Sequence, residues 1–301
     1  MTTSPVHPRN HPPRLPAWAR VLIPVVVFMP LAASPLLALQ LPAVRHAADQ
    51  PTLWGAVTLV AAFGIALTAY LVVSILLVRW VDRRPAAALG LKVTVHGLTG
   101  MGVGVLVALL VGVGGTVVAD VLGLGRDAAQ AADSFLEYPD LALLVLLLGQ
   151  AFVLQGIGEE VLFRGYLLQT LNKSPRAAVF IAAAAFAVPH LSSQGGQESA
   201  VEHLIYLWIP FGFSVSAAAL AIRFRSVWAA VGVHGGFHVS TYLCFALGLT
   251  LEGPGLWLVL GTPHLVVGVI LMAQTPSGRW REIATCGTYT PSAISEPRSR
   301  H

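Results

Sequence analysis

Charged side chains are scarce, at 11% of the 301 residues, whereas an ordinary soluble domain carries roughly a quarter. That deficit excludes a water-dissolved globular chain and points to lipid as the solvent. Cysteine is scarcer still: Cys244 and Cys286 are the only two, one in an apolar segment and one in the polar C-terminal segment, with no CxxC spacing. A disulfide framework and a thiolate metal site are both excluded. A basic patch is missing as well, because the net charge of +4 comes from Lys and Arg dispersed among short connections. This excludes a nucleic-acid partner and leaves membrane topology as the meaning of the charge. The apolar runs lack the alternation of barrel strands, so the elements that cross lipid are helices.

What is present in their place is length. Eight stretches contain no Asp, Glu, Lys or Arg: 21–44, 50–78, 93–119, 141–158, 177–197, 203–222, 226–251 and 253–278. Each reaches about 18 residues, enough for a helix to cross roughly 30 Å of hydrocarbon. The fold class is therefore all-α, a polytopic membrane helical bundle of about eight transmembrane helices. Its expected organisation is a disordered N-terminus over 1–20, one transmembrane domain over 21–278, and a disordered tail over 279–301. The first apolar run exceeds the 7–15 residues of a signal-peptide core, so it reads as a retained span.

Charge asymmetry orients the bundle. Arg9, Arg14, Arg20, Arg79, Arg83, Arg84, Lys92, Lys173, Arg176, Arg223, Arg225, Arg279, Arg281, Arg298 and Arg300 fall at the N-terminus, the even-numbered connections and the tail, whereas the opposite connections hold Arg45 and Arg126 alone. Lys and Arg mark the cytoplasmic side, so both termini are expected there. Such a multi-pass chain is expected in a bacterial cytoplasmic membrane. Pro24, Pro30 and Pro35 should kink the first span. Gly97, Gly100, Gly104 and Gly112 suit the third to close helix packing.

One basic residue, Arg164, fits neither side. It follows Glu159 and Glu160 in QGIGEEVLFRGYLLQTL, where apolar character continues around the charges. If the fourth helix runs on to Lys173, Glu159 lies about 14 residues, or roughly 21 Å, from that boundary. Charges at such depth cost roughly 2.5–3.5 kcal/mol each on insertion scales and mark function by default. Glu160 and Arg164, four apart, share a helical face, so Arg164 should neutralise Glu160 and leave Glu159 for chemistry. The alternative ends the span at Gly158 and makes the charges juxtamembrane. His190 lies about 14 residues from Arg176, and His234 and His238 lie about 9 and 13 from Arg225, roughly 13–21 Å deep. The i, i+4 spacing of His234 and His238 lets both imidazoles meet one metal or one substrate.

EEVLFR, FAVPH and HGGFH, in that order and on separate spans, resemble the EExxxR, FxxxH and HxxxN/D motifs of the CAAX prenyl protease and bacteriocin-processing (CPBP, Abi) family of intramembrane peptidases. The likeness extends to SVWAAVGVHGGFH and covers about 141–245; the flanking spans agree in hydropathy only. The resemblance implies an intramembrane endopeptidase, a glutamate or metallo-enzyme, acting near the cytoplasmic face. Glu159 and His190 would activate a water, with Glu160 in the acidic pair and Arg164 and Phe186 as partners. His234 and His238 would bind the oxyanion, where each aimed donor lowers a barrier by about 3–4 kcal/mol, or would join Glu159 and His190 around zinc. Zinc and a metal-free glutamate mechanism both remain open. Position 238 departs from the family in being His rather than Asn or Asp. The implied partners are the lipid bilayer and a peptide or protein substrate, lipidated or not.

Other classes compete. Ser214, in GFSV, resembles the nucleophile of rhomboid-like serine proteases but lacks the Gly that follows it there. A proton-coupled transporter would also use intramembrane Glu and His, with His96 the counterpart in the first half. A catalytically inactive scaffold of the same fold is the third reading. His264 beside Pro263 reads as packing, His203 beside Glu202 as interfacial, and the sequon Asn172-Lys173-Ser174 as unused because Pro175 follows it.

Overall fold

The computed structural model describes residues 12–127, 137–249 and 251–289. Helices dominate: α1 (Ala17–Ala38), α2 (Leu53–Val81), α3 (Val95–Val121), α4 (Asp140–Thr170), α5 (Pro175–Ser192), α6 (Ala200–Phe224) and α8 (Pro254–Gln274) are each long and apolar enough to cross a membrane. Between α6 and α8 runs α7 (Val227–Ala246), 20 residues long. It corresponds to the seventh of the eight expected spans but falls short of the other seven in apolar character, because it carries His234, His238, Gly235, Gly236 and the Ser240–Tyr242 run. The expectation of about eight spans thus becomes seven by length and composition plus one helix that bears candidate site residues. The one strand pairing among the described residues is antiparallel, β1 (Arg126–Asp127) with β2 (Leu251–Glu252).

Local sequence sets the breaks. Pro24 and Pro30 lie inside α1, whose regular helix ends at Ala32 and resumes at Pro35; the missing N–H of each proline explains the discontinuity. Thr52 caps α2 by accepting from the Gly55 N–H, and Thr94 caps α3 by accepting from the Gly97 N–H, each satisfying an orphan donor of the first turn. Pro175 occupies the first turn of α5, where its lost N–H costs nothing.

The expected disordered ends need correction within the described residues. Helix α1 already begins at Ala17. Residues 277–286 of the supposed tail form α9 (Ser277–Cys286), whose Trp280 and Ile283 are buried against α5 and α6. Arg225 and Glu282 join α9 to the α6–α7 corner through bonds of 2.6 and 2.9 Å. Enough apolar surface is covered there to hold a helix that composition alone reads as polar. The Asn172 amide donates to the Ile283 and Ala284 carbonyls at 3.2 Å each, and the sequon asparagine itself is buried. Residues 1–11 and 290–301 lie outside the described residues.

Contacts between connections sort them into two ends. Arg20 and Asp82 meet at Thr170, Arg225 meets Glu282, and Trp228 donates to the Leu91 carbonyl; these define one end. At the other, Arg126 binds both carboxylate oxygens of Glu202 at 2.9 Å and the Gly196 carbonyl at 2.7 Å. The first end is the one richer in Lys and Arg, as the alternation in the sequence requires.

Helix α3 packs against α7 along a glycine seam. A Cβ on Gly104 would collide with the Ala229 carbonyl and the Val233 N–H, one on Gly112 with Ser240, and one on Gly232 with Met101 backbone. Gly97, Gly100, Gly104 and Gly112 are all buried, so the small-residue pattern does mark helix contact. This seam sets the height at which α7 presents His234. Gly104→Ala is expected to destabilise the protein by about 1–3 kcal/mol through overpacking, measured by denaturation in detergent. Gly102, with nothing within 4 Å of a built Cβ, is the control, and Gly102→Ala should match the wild type.

Candidate active site

Helix α4 carries the acidic pair to the centre of the bundle. It does not stop at Gly158; the helix continues to Thr170, and Glu159, Glu160 and Arg164 are 5%, 0% and 0% exposed. The juxtamembrane alternative is thereby removed. Two π-helical stretches, 149–156 and 161–167, flank the pair. Such widened turns re-aim side chains relative to a regular helix and recur at functional sites. Every residue from Gly158 to Thr170 is buried, the pattern of a helix enclosed on all faces.

Buried charge has to be satisfied, and Arg164 does this. Its Nη1 lies 2.7 Å from Glu160 Oε1, and its Nη2 donates to Ser214 Oγ at 2.5 Å. The guanidinium also faces the Phe186 ring at 4.8 Å and the Phe213 ring at 5.7 Å, the cation–π geometry that arginine favours. The expected neutralisation of Glu160 by Arg164 is present. Ser214 is thereby accounted for as the acceptor of a guanidinium N–H.

A further link was not read from the sequence. Glu160 Oε1 also accepts from His234, whose Nδ1 lies 2.9 Å away. A carboxylate only accepts, so Nδ1 carries the proton. The opposite ring nitrogen, Nε2, then points toward Glu159, 3.8 Å from its Oε2. Arg164, Glu160, His234 and Glu159 form one continuous polar chain across α4 and α7. Glu160 Oε1 is thus shared between Arg164 and His234. Glu159 Oε2 is buried without a hydrogen-bond partner among the described residues.

His190 arrives from α5, whose last turn, Val188–Ser192, tightens to a 3-10 form behind Pro189. Its Nδ1 lies 2.8 Å from the Phe186 carbonyl, which fixes the proton on Nδ1 and leaves Nε2 as the acceptor. Phe186 and Phe28 flank the imidazole at 4.6 and 5.6 Å. Phe186 also meets His234 edge-on at 5.8 Å, so this one ring separates Arg164, His190 and His234. His238 stacks on His234 with centroids 5.2 Å apart and planes at 26°. The site residues sequence reasoning missed are Phe28, Phe213 and Tyr70. The Tyr70 ring packs on Gly158 and its hydroxyl donates to the Phe28 carbonyl at 3.1 Å. Only their aromatic character in otherwise aliphatic runs could have signalled them.

Residues proposed for other roles lie elsewhere. His264 is fully buried and bonded to Ser216 Oγ at 3.1 Å, a packing contact behind Phe213. His96 is exposed and lies against Phe224 at 5.1 Å, so it does not mirror Glu159 as a transporter relay would require. A zinc site needs three or four converging donors; as the side chains stand, no group of three or more His, Cys, Asp and Glu among the described residues is placed to hold a metal ion. His234 Nδ1 is committed to Glu160.

Removing one partner of a buried ion pair strands the other charge. Arg164→Ala is expected to cost about 3–5 kcal/mol of stability, seen by denaturation in detergent. Ser214→Ala, which removes only an acceptor, should cost about 1–3 kcal/mol and keep the site's activity, the opposite of what a serine nucleophile would show.

Residues 141–240 match the family model described as Rce1-like, Type II CAAX prenyl endopeptidase Rce1-like. No curated protein and no solved structure matches the chain. The matched stretch contains all three motifs and every residue of the polar chain from Arg164 to His234. The resemblance read from those motifs therefore stands: residues 141–240 of this integral multi-pass membrane protein are similar to the CAAX-type intramembrane endopeptidases.

Proposed function

We propose that the protein hydrolyses a peptide bond near the cytoplasmic membrane face with a water activated by Glu159 and His190. The observation that carries this reading is the division of labour within the acidic pair. Arg164 is spent on Glu160, while Glu159 is buried with an unpartnered oxygen. A general base needs an available lone pair in a site shielded from bulk water. Glu159 meets both requirements; Glu160 is also buried with its Oε2 unpartnered, but its Oε1 is held by both Arg164 and His234, so its charge is already neutralised.

In the proposed step, Glu159 takes a proton from the attacking water as its oxygen bonds to the substrate carbonyl carbon. His190 Nε2 accepts the water's other hydrogen and orients it. The tetrahedral oxyanion is stabilised by His234 and His238. Since Glu160 accepts the His234 Nδ1 proton, an oxyanion contact from Nε2 requires a proton on both ring nitrogens, with Glu160 and the oxyanion itself as counter-charges. Collapse of the intermediate breaks the C–N bond, and the proton on Glu159 passes to the departing amine.

The substrate is a peptide presented at the bilayer, with CAAX-type prenylated tails the first class to test. The Lys- and Arg-rich end of the bundle supports a cytoplasmic site and cytoplasmic termini. Glu159→Gln and His190→Ala should each lower cleavage of a membrane-presented CAAX peptide by about 10²–10⁴-fold while leaving the melting profile intact. Unchanged turnover in both variants would remove the mechanism. Metal analysis of the purified protein, with activity measured before and after chelation, separates zinc-dependent from metal-free hydrolysis.

A further inference from the structure

Helix α4 is gripped from outside by the far end of the chain. The Tyr289 hydroxyl donates to the Arg164 carbonyl oxygen at 3.0 Å, across 125 positions of sequence. The neighbouring Thr288 N–H donates to Gln169 Oε1 at 2.9 Å, and Gln169 Nε2 donates to the Ala88 carbonyl at 3.0 Å. Residues 288 and 289 thus hold α4 at 164 and at 169, within and just beyond the π-helical stretch 161–167.

The seat for Tyr289 is built for it. Gly90 adopts φ +75, and a Cβ there would run into the Tyr289 ring. Only glycine supplies both that backbone conformation and that space. The ring also joins the core cluster that contains Phe163 and Leu167. Helix α9 holds this end of the chain in place: Arg279 donates to the Thr288 carbonyl, Glu282 pairs with Arg225, and Asn172 binds the last carbonyls of α9.

These contacts converge on one residue. The Arg164 side chain holds Glu160, Glu160 holds His234, and the Arg164 backbone is held by Tyr289. A widened turn departs from the regular i→i−4 ladder, and an outside donor to the Arg164 carbonyl adds a second hold on the backbone from which the guanidinium projects. We infer that Tyr289 is a positioning residue for the site: its hydroxyl fixes the π-helical turn of α4 and thereby the Arg164–Glu160–His234 chain. The effect on catalysis rests on the endopeptidase reading; the effect on the turn does not.

The test uses the full-length protein in lipid bilayers, with Tyr289→Phe to remove the hydroxyl alone and Gly90→Ala to displace the ring from an independent position. Three quantities are read: hydrogen exchange of the amides of 161–167, the ¹⁵N resonance of His234 Nδ1, and kcat and KM on a membrane-presented CAAX peptide. Both variants are expected to speed exchange in 161–167 relative to α3, to shift the His234 resonance, and to lower kcat about tenfold with KM unchanged. Wild-type exchange and an unmoved His234 signal in Tyr289→Phe would overturn the inference, as would a rise in KM at constant kcat. If only Gly90→Ala responds, ring packing alone holds the turn and the role of the hydroxyl is refuted. Should the wild type cleave no such peptide, the endopeptidase reading falls, and exchange with the His234 resonance still decides whether Tyr289 positions the chain.

Discussion

The buried ion pair between Arg164 and Glu160 is the constraint around which the bundle is organised. Two charges at 0% exposure carry a desolvation cost that their attraction repays only when the remaining donors and acceptors are also engaged. The surroundings supply several of these: Ser214 takes the second guanidinium nitrogen, the faces of Phe186 and Phe213 take its plane, and His234 takes the shared carboxylate oxygen. The partners come from three helices besides α4, so α4, α5, α6 and α7 must all be seated before these contacts form. An apolar pair of the same volume could fill the space, but it would not orient an imidazole.

Close helix approach makes that arrangement reachable. His234 reaches Glu160 because α7 lies almost backbone to backbone on α3, with Gly104 and Gly232 giving up their side chains to the contact. Within α4, widened turns on either side of the acidic pair allow adjacent residues to serve opposite needs. Glu160 turns one oxygen to both Arg164 and His234, while Glu159 has no arginine of its own. In lipid a stranded polar group finds no water to satisfy it, so the two neighbouring carboxylates differ in how their charge is balanced.

Much of this was legible in the residues. Charge-free runs located the helices because lipid tolerates little else. The four-residue spacing of Glu160 and Arg164 foretold their pairing because helix geometry puts them on one face. The glycines of α3 foretold a close contact, though not its partner, since spacing on one helix says nothing about the helix opposite. The link from Glu160 to His234 spans 74 positions and depends on how two helices settle against each other, which no local pattern encodes. Helix α9 was misread for a related reason: its composition is that of a solvated tail, and its order comes from Trp280, Ile283 and the Arg225–Glu282 pair, which are tertiary contacts. Whether the four donors converge on a metal was not legible, because comparable depth along separate helices does not fix which way the side chains face.

The histidine at position 238 gains meaning from the same geometry. It is stacked on His234 at 5.2 Å rather than set beside it, so the two rings are electrostatically coupled. His234 is bonded to Glu160 and faces Glu159, whereas His238 meets the site through His234. A neutral His238 offers one N–H donor and one acceptor nitrogen, where an asparagine amide would offer two N–H donors and a carbonyl oxygen. Histidine at this position therefore keeps a hydrogen-bond donor while adding an aromatic face stacked on the His234 ring.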